Sequence, residues 1–467
     1  MFIQQFYTAC LSEAAYYIES KGEAVIIDPL RDVDMYIEFA KERGANIKYI
    51  LETHFHADFV SGHLDLSKRT GAPIVYGPGA HPKFAIHSAK DGEVLPVGDV
   101  SIHVMHTPGH TLESTCYLLK DAEQNPHAIF TGDTLFVGDV GRPDLSSGSM
   151  SSEELASIMY DTIQNKILPL SDDIIMYPGH GAGSSCGKSL GSETYSTIGE
   201  QKKNNYALKI HNKEEFVKAV TDGLNKAPVY FAINAGINQN GYDDVAEVCS
   251  RGSKMLTVDE FKSKINEGAL ILDTRNSNVF TEGFIPGSIS IGLEGRFAEW
   301  AGNLIPFNQP MILVTEPGKE MESVVRLARV GFDKMEGCLN GGIDAWKNSG
   351  QSLDMIINVE ADELMMDIPH DPNLVVLDVR NDAEFQSGHL ENATHLCLKE
   401  MIDPLNLARL EDHENIYVHC AGGYRSVIAS SILKREGMHN IRNVSGGWNK
   451  IKEEPKAKIV KGAPELN

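Results

Sequence analysis

Apolar residues along the chain fall into short runs, each ended by glycine, proline or a polar cluster. Over the first half, the runs "EAVIIDP", "APIVYG", "HAIFTGD" and "DIIMYPGH" alternate with helical patterns, one of them opened by a capping-box pattern from Ser151 to Glu154. Strands alternating with helices predict an α/β domain over residues 1–250. After the polar stretch "CSRGSK" a pattern begins that occurs twice. "ALILDTRNSNVFTEGFIPGSI", from Ala269, matches "LVVLDVRNDAEFQSGHLENAT", from Leu374, and each copy continues through an apolar strand, a loop and a helical segment to "GGIDAW" or "GGWNKI". Two tandem copies of one small α/β domain are predicted, over 255–352 and 358–467, with the charged tail "KEEPKAKIVKGAPELN" partly loose.

A length of 467 residues agrees with several cores rather than one. The formal charge of −23 argues against nucleic acid or an anionic membrane as the main partner, so any anion site must be built locally. The first residues lack a basic segment before an apolar core, and no apolar run reaches membrane-spanning length. The expectation is a cytosolic protein, with a homo-oligomer left open. The seven cysteines are scattered, odd in number and without C-x-x-C spacing, which predicts core residues or reactive thiols rather than a disulfide framework.

Polar residues of the first domain gather where strands end. His54, His56 and Asp58 follow "YIL", His110 lies in "HTPGH", Asp133 ends "AIFTGD" and His180 ends "IIMYPGH". Groups beyond strand C-termini converge on one rim in layered α/β folds, so these distant stretches are expected to form one site. The order "THFHAD", "TPGH", "TGDTLF", "YPGH" resembles the metallo-β-lactamase superfamily. "FVGDVGRPDL" and "STIGEQKKNN" are closest to its persulfide dioxygenase branch, which also resembles glyoxalase II. The resemblance implies an αββα sandwich with a metal at its rim. By motif position it implies His54, His110 and Asp133 as ligands of iron(II), one per chain.

In the two-metal hydrolases of that superfamily, a histidine is expected where this chain has Phe59, which cannot coordinate. Two-metal hydrolysis needs two cations to clamp the attacking and leaving oxygens. Two imidazoles and one carboxylate are instead the facial set of non-haem iron(II) oxygen chemistry. His56, Asp58 and His180 are then expected as polar supports of the ligands. Arg142 in "VGRPDL" either holds an anionic substrate or pins a turn, and Cys186 in "HGAGSSCGKSLGS" either folds back toward the metal or is a buried structural thiol.

The last domain carries a nucleophile pattern. "IYVHCAGGYRS" places Cys420 between an apolar strand and a helix start, where backbone N–H groups and Arg425 favour the thiolate, with Gly422 and Gly423 forming the turn. C-x-x-G-x-R, with "LDVRNDAEFQSGHL" before it and "NVSGGW" after it, resembles the rhodanese family, whose cysteine carries a sulfane sulfur as a persulfide. Asp378 and Arg380 are expected to brace the domain. Laying the middle copy on the last puts Glu316 at the place of Cys420 and Met321 at that of Arg425, so the middle copy resembles an inactive rhodanese, a spacer or docking platform. The full expectation is an αββα metallo-β-lactamase sandwich followed by two rhodanese-like α/β domains. It would oxidise a low-molecular-weight thiol persulfide with O2 to sulfite and thiol, coupled to sulfur transfer that makes or uses thiosulfate. The alternatives are a glyoxalase II-type thioester hydrolase with two metals fused to a sulfurtransferase, and a non-enzymatic sulfur or redox sensor.

Overall fold

The computed structural model describes residues 1–145, 150–224, 226–410 and 415–462. The chain forms two compact units: Met1–Glu247 with Val325–Asp333, and Val248–Val324 with the residues from Lys334 onward. Both tandem copies lie in the second unit, apart from residues 325–333, which belong to the first.

Among the described residues of the first unit, two six-stranded sheets lie face to face. One runs in chain order from Phe2–Thr8 to His87–Ser88; in the other, Pro126–Gly132 and Thr115–Lys120 are central. Alternation along each strand explains the layering. In Glu13–Ser20, Tyr16 and Ile18 join Val25, Ile27 and Leu51 against Ile102, Val104, Tyr117 and Phe130 of the second sheet. Their neighbours Ala15 and Tyr17 point outward, under Val33, Tyr36 and Ala40 at the helix Asp34–Glu42. On the other outer face, Ala156 and Met159 of Ser152–Thr162 and Phe216 and Val220 of Lys213–Thr221 cover Cys116, Leu118, Ile129 and Met176. Helix, sheet, sheet, helix is the expected αββα order. Ser151 caps its helix with the reciprocal bonds to Glu154 that its spacing predicts.

The second unit holds two five-stranded sheets among its described residues, with the same strand order. Their pairings are parallel, and central strands such as Leu270–Asp273 and Met311–Val314 are buried throughout, as sheets covered on both faces require. The repeat extends to a buried brace. Arg380 forks onto Asp378 (Nε–Oδ1 2.9 Å, Nη2–Oδ2 2.6 Å) and also donates to Gly388 O. Arg275 does the same with Asp273 and Gly283 O. Part of the tail expected to be loose is held: Ile459–Val460 pairs antiparallel with His389–Leu390, while residues 463–467 lie outside the described residues. No described helix is long and apolar enough to cross a membrane.

Removing one partner of a buried ion pair leaves the other charge uncompensated. Arg380→Met should therefore lower stability by about 3–5 kcal/mol in urea unfolding, whereas replacing Asp378 and Arg380 together with apolar residues should cost clearly less.

Candidate active sites: a buried histidine–carboxylate rim and a thiol loop

The polar groups expected to converge do so at one end of the facing sheets. His54 follows Asn46–Glu52, Asp133 follows Pro126–Gly132, and His180 lies two residues beyond Ile175–Pro178. The approach is close enough to require glycine: a Cβ on Gly132, whose φ is +48°, would lie 2.5 Å from Thr53 Oγ1, and one on Gly179 would lie 2.8 Å from Asp133 Oδ1. His54, His110 and Asp133 are buried, with one donor atom of each within 4.8 Å of the others. Asp133 Oδ2 faces His110 Nε2 at 3.6 Å and His54 Nε2 at 3.9 Å. Its Oδ1 faces His180 Nε2 at 3.4 Å, and Asp58 Oδ2 lies 3.5 Å from the same nitrogen.

Backbone carbonyls set the tautomers. His110 Nδ1 donates to Arg142 O (2.8 Å) and His180 Nδ1 to Ser12 O (3.2 Å), which turns each Nε2 toward Asp133. Burial, then the neighbouring histidines, holds His54 well below the usual imidazole value, which favours the neutral ring with one nitrogen lone pair free to coordinate. Neither carboxylate oxygen of Asp133, nor His180 Nε2, has a hydrogen-bond partner among the described residues. Buried polar atoms without partners cost free energy. Two imidazoles and a carboxylate so arranged fit a divalent transition metal, and those orphaned atoms are where its bonds would go.

His56, Asp58 and His180 also bring donor atoms within 4.8 Å of one another, as do Asp28, Glu52 and His56. His56 is shared between these sets, and its closest contacts are to the second: Nε2 lies 3.0 Å from Asp28 Oδ1 and 3.5 Å from Glu52 Oε2. Burial works against charge on the ring, but Asp28 foremost raises its pKa to about 10, and a protonated imidazole has no lone pair for a metal. Phe59 is fully buried and lies over this ring, centroids 4.3 Å apart.

Several of these groups were not singled out in the sequence. Asp28 ends the run "EAVIIDP", where its φ of +51° marks a special backbone position; it accepts the N–H and hydroxyl of Thr53. Glu52 directly precedes the motif and also meets His63, to which the sequence assigned no role. Asn238, on the helix Phe231–Asn240, was invisible to motif spacing. Its amide donates to His56 O and Phe59 O (2.8 Å each) and accepts from Ser61 N–H. Arg329 O accepts Val60 N–H at 2.7 Å. Arg329 itself forks onto Asp32, and fully buried Arg31 onto Asp333.

Geometry bears on the two readings left open. Arg142 forks onto Asp144 (2.6 and 2.7 Å) and donates to Ser185 O, so it pins turns rather than presenting a bare cation. Cys186 does fold back: its sulfur is grouped with Asp133 and His180, buried, and its thiol is pushed well up by burial and then by Asp58 and Asp133.

In the second unit, Cys420 directly follows Asn415–His419 and is 1% exposed. Gly423 N–H points at its sulfur (N···Sγ 3.1 Å). Arg425 is not aimed solely into the loop, because Glu384 takes its guanidinium in a fork of two 2.7 Å bonds. The sheet register corrects the comparison of the copies. Asp378 pairs with His419 and Asp273 with Val314, so Thr315, not Glu316, occupies the place of Cys420. The packing agrees: Gly447 abuts Cys420 O and Gly342 abuts Thr315 O. Helix Glu320–Ala328 begins four residues after Glu316, and Tyr424–Arg435 four after Cys420, so an alignment anchored on the helix starts misreads the strand by one residue. The middle copy has no thiol there, and Cys338 is buried in Met335–Leu339 with its pKa pushed up to about 12.

Residues 9–180 match the Metallo-beta-lactamase superfamily profile, and residues 257–349 and 360–454 match the rhodanese-like domain profile. A crystal structure of a metallo-beta-lactamase from Staphylococcus aureus is 34% identical, covering 73% of this chain and 99% of its own, with a TM-score of 0.64. Hydroxyacylglutathione hydrolase GloC of Haemophilus influenzae is 28% identical over 220 residues, 42% of this chain and 93% of its own. A probable hydroxyacylglutathione hydrolase of Schizosaccharomyces pombe is 34% identical over 166 residues, 35% of this chain; the chain spans 60% of that relative's length.

Asn238→Leu should unlatch the metal loop, since it leaves two carbonyls and one N–H buried without partners, each costing about 1–3 kcal/mol. Cobalt(II) titration should show affinity reduced at least tenfold while the far-ultraviolet circular dichroism stays that of wild type.

Proposed function

Since the chain belongs to the metallo-β-lactamase superfamily and carries two rhodanese-like domains behind that fold, we propose that it is a persulfide dioxygenase joined to a sulfurtransferase. The observation that carries this reading is the pairing of His56 with Asp28 under the ring of Phe59. It removes one donor from a second cation site and supports one metal, held by His54, His110 and Asp133. Iron(II) there supplies electron exchange with dioxygen, which zinc lacks.

The residues around that position do the rest. Asp133 offsets metal charge with a carboxylate kept from water, and the carbonyls of Arg142 and Ser12 hold His110 and His180 in register. His180 stands between Asp133 Oδ1 and Asp58 Oδ2, where a proton arriving with, or leaving from, a thiol can be held. The substrate class is a low-molecular-weight thiol persulfide, a soft anion. Overall, RSS⁻, O2 and water give RSH, sulfite and a proton: the S–S bond breaks and the terminal sulfur is oxidised. At the second site, the Cys420 thiolate takes the terminal sulfur of a second RSS⁻ as RS⁻ leaves; sulfite then attacks that sulfur, the Cys420 thiolate leaves, and thiosulfate forms. The scattered free cysteines suit a reducing cytosol.

A thioester hydrolase of glyoxalase II type is the second reading. It draws on His180, whose Nε2 lies 3.4 Å from the other oxygen of Asp133 and 3.5 Å from Asp58, so that Asp58 and His180 could serve a second cation, and on the hydroxyacylglutathione hydrolases among the relatives.

Metal analysis of protein purified without added metal should find about one iron per chain, with oxygen consumed only when persulfide is supplied. Two zinc ions per chain and thioester cleavage would establish the second reading instead. Asp133→Ala should abolish oxygen uptake and leave thiosulfate-dependent sulfur transfer measurable.

With persulfide and oxygen, wild type should release mainly thiosulfate, and Cys420→Ser should consume oxygen at the wild-type rate but accumulate sulfite. Chromatography of thiol-labelled products decides this, and an unchanged thiosulfate yield in the variant would assign thiosulfate formation to free solution.

A further inference from the structure

The helix that begins beside Cys420 is fastened to the middle copy and its connector along one stripe. Tyr424 Oη donates to Gly292 O (2.8 Å), and Val427 packs in a cluster with Phe280, Phe284 and Ile356. Ser431 Oγ accepts Ser290 N–H (3.0 Å), and Lys434 pairs with Asp354 (3.0 Å). Positions 424, 427, 431 and 434 recur at the spacing of a single helix face. A copy without a nucleophile therefore lies along the helix that carries the nucleophile loop.

We propose that the silent copy is one jaw of a clamp that sets the shape of the Cys420 loop, and that Tyr424 is the positioning residue through which it acts. The other jaw belongs to the active copy itself. There, Cys420 O accepts Trp448 N–H (2.7 Å) and Ala421 O accepts Asn449 N–H (3.0 Å). Between the jaws stand Gly422 and Gly423, which have no side chains to hold them; Gly423, at φ +113°, aims its N–H at the sulfur. The direction of that N–H depends on where the chain is fixed on each side.

Tyr424 fixes the far side, one residue past Gly423. Its ring lies beside Gly292 and Gly295, near enough that an added Cβ on either would only touch it, at 3.7 and 3.8 Å. Cradles of N–H groups lose much of their effect on displacement of about 1 Å. The silent copy thus contributes to sulfur transfer without touching sulfur. The inference rests on the reading of Cys420 as the sulfur carrier.

The test uses full-length protein and thiosulfate as sulfur donor. Tyr424→Phe removes the hydroxyl alone, and Lys434→Met cuts the same interface ten residues away. Tyr424→Phe should raise KM for thiosulfate and lower kcat/KM about tenfold, while its unfolding midpoint falls no further than that of Lys434→Met. Lys434→Met should keep wild-type kinetics. Wild-type kinetics in Tyr424→Phe, or equal kinetic losses in both variants, would overturn the clamp. Cys420→Ser, measured alongside, should have no transfer; transfer persisting there would overturn the sulfur-carrier reading and the clamp with it.

Discussion

A carboxylate buried among imidazoles governs the first unit. Asp133 has no hydrogen-bond partner among the described residues for either oxygen, yet three histidine nitrogens stand within 3.9 Å of it. Such a group is tolerable only if cations or a metal surround it, so everything nearby must be held in place against its field. The two sheets supply the direction, because their strands deliver Thr53, Asp133 and Pro178 to one rim. Glycines at 132 and 179 allow the approach, and carbonyls of Arg142 and Ser12 orient the rings. His56 is shared between Asp58 with His180 and Asp28 with Glu52, and its Nε2 lies 3.0 Å from Asp28.

The parts of this site that were legible in the sequence are those where chemistry needs a rare residue at the end of an apolar run. His54, His110, Asp133 and His180 satisfy that condition, as Cys420 does in the second unit, and the brace of Asp378 and Arg380 was expected, though its counterpart Asp273–Arg275 was not named. The supports were illegible because their evidence is three-dimensional. Asn238 lies in a helix far along the chain and acts through an amide on three backbone groups. Arg31 and Asp333 are an ordinary pair in sequence, and only folding joins residues 325–333 to the first unit. The one-residue error that put Glu316 in place of Thr315 has the same origin: hydrophobic matching aligns helices and strands together, whereas the sheet register fixes strands alone.

The middle copy, with Thr315 at the strand tip where the last copy has Cys420, keeps the same fold. The Asp273–Arg275 fork reproduces Asp378–Arg380 bond for bond, and strand order is the same. A parallel sheet buried on both faces depends on its packing, not on the residue at a strand tip. Chemistry at the tip can therefore be deleted while the remaining surface is kept for contact with a neighbour, here the helix Tyr424–Arg435.

Both proposed substrates are anions, and the chain carries a net charge of −23. Arg142, for which anion binding was one of two readings, and Arg425, expected to favour the Cys420 thiolate, are each forked onto a carboxylate, Asp144 and Glu384. Neither fork leaves a bare guanidinium to attract an anion from solution. At the Cys420 loop, anion binding then falls to groups that carry no net charge, the N–H groups of the turn at the start of a 12-residue helix. Such donors act over a few ångströms and only when rigidly placed, unlike a field that steers from a distance. This is why so much of the structure, from Asn238 to Tyr424, is spent on fixing backbone rather than on presenting charge.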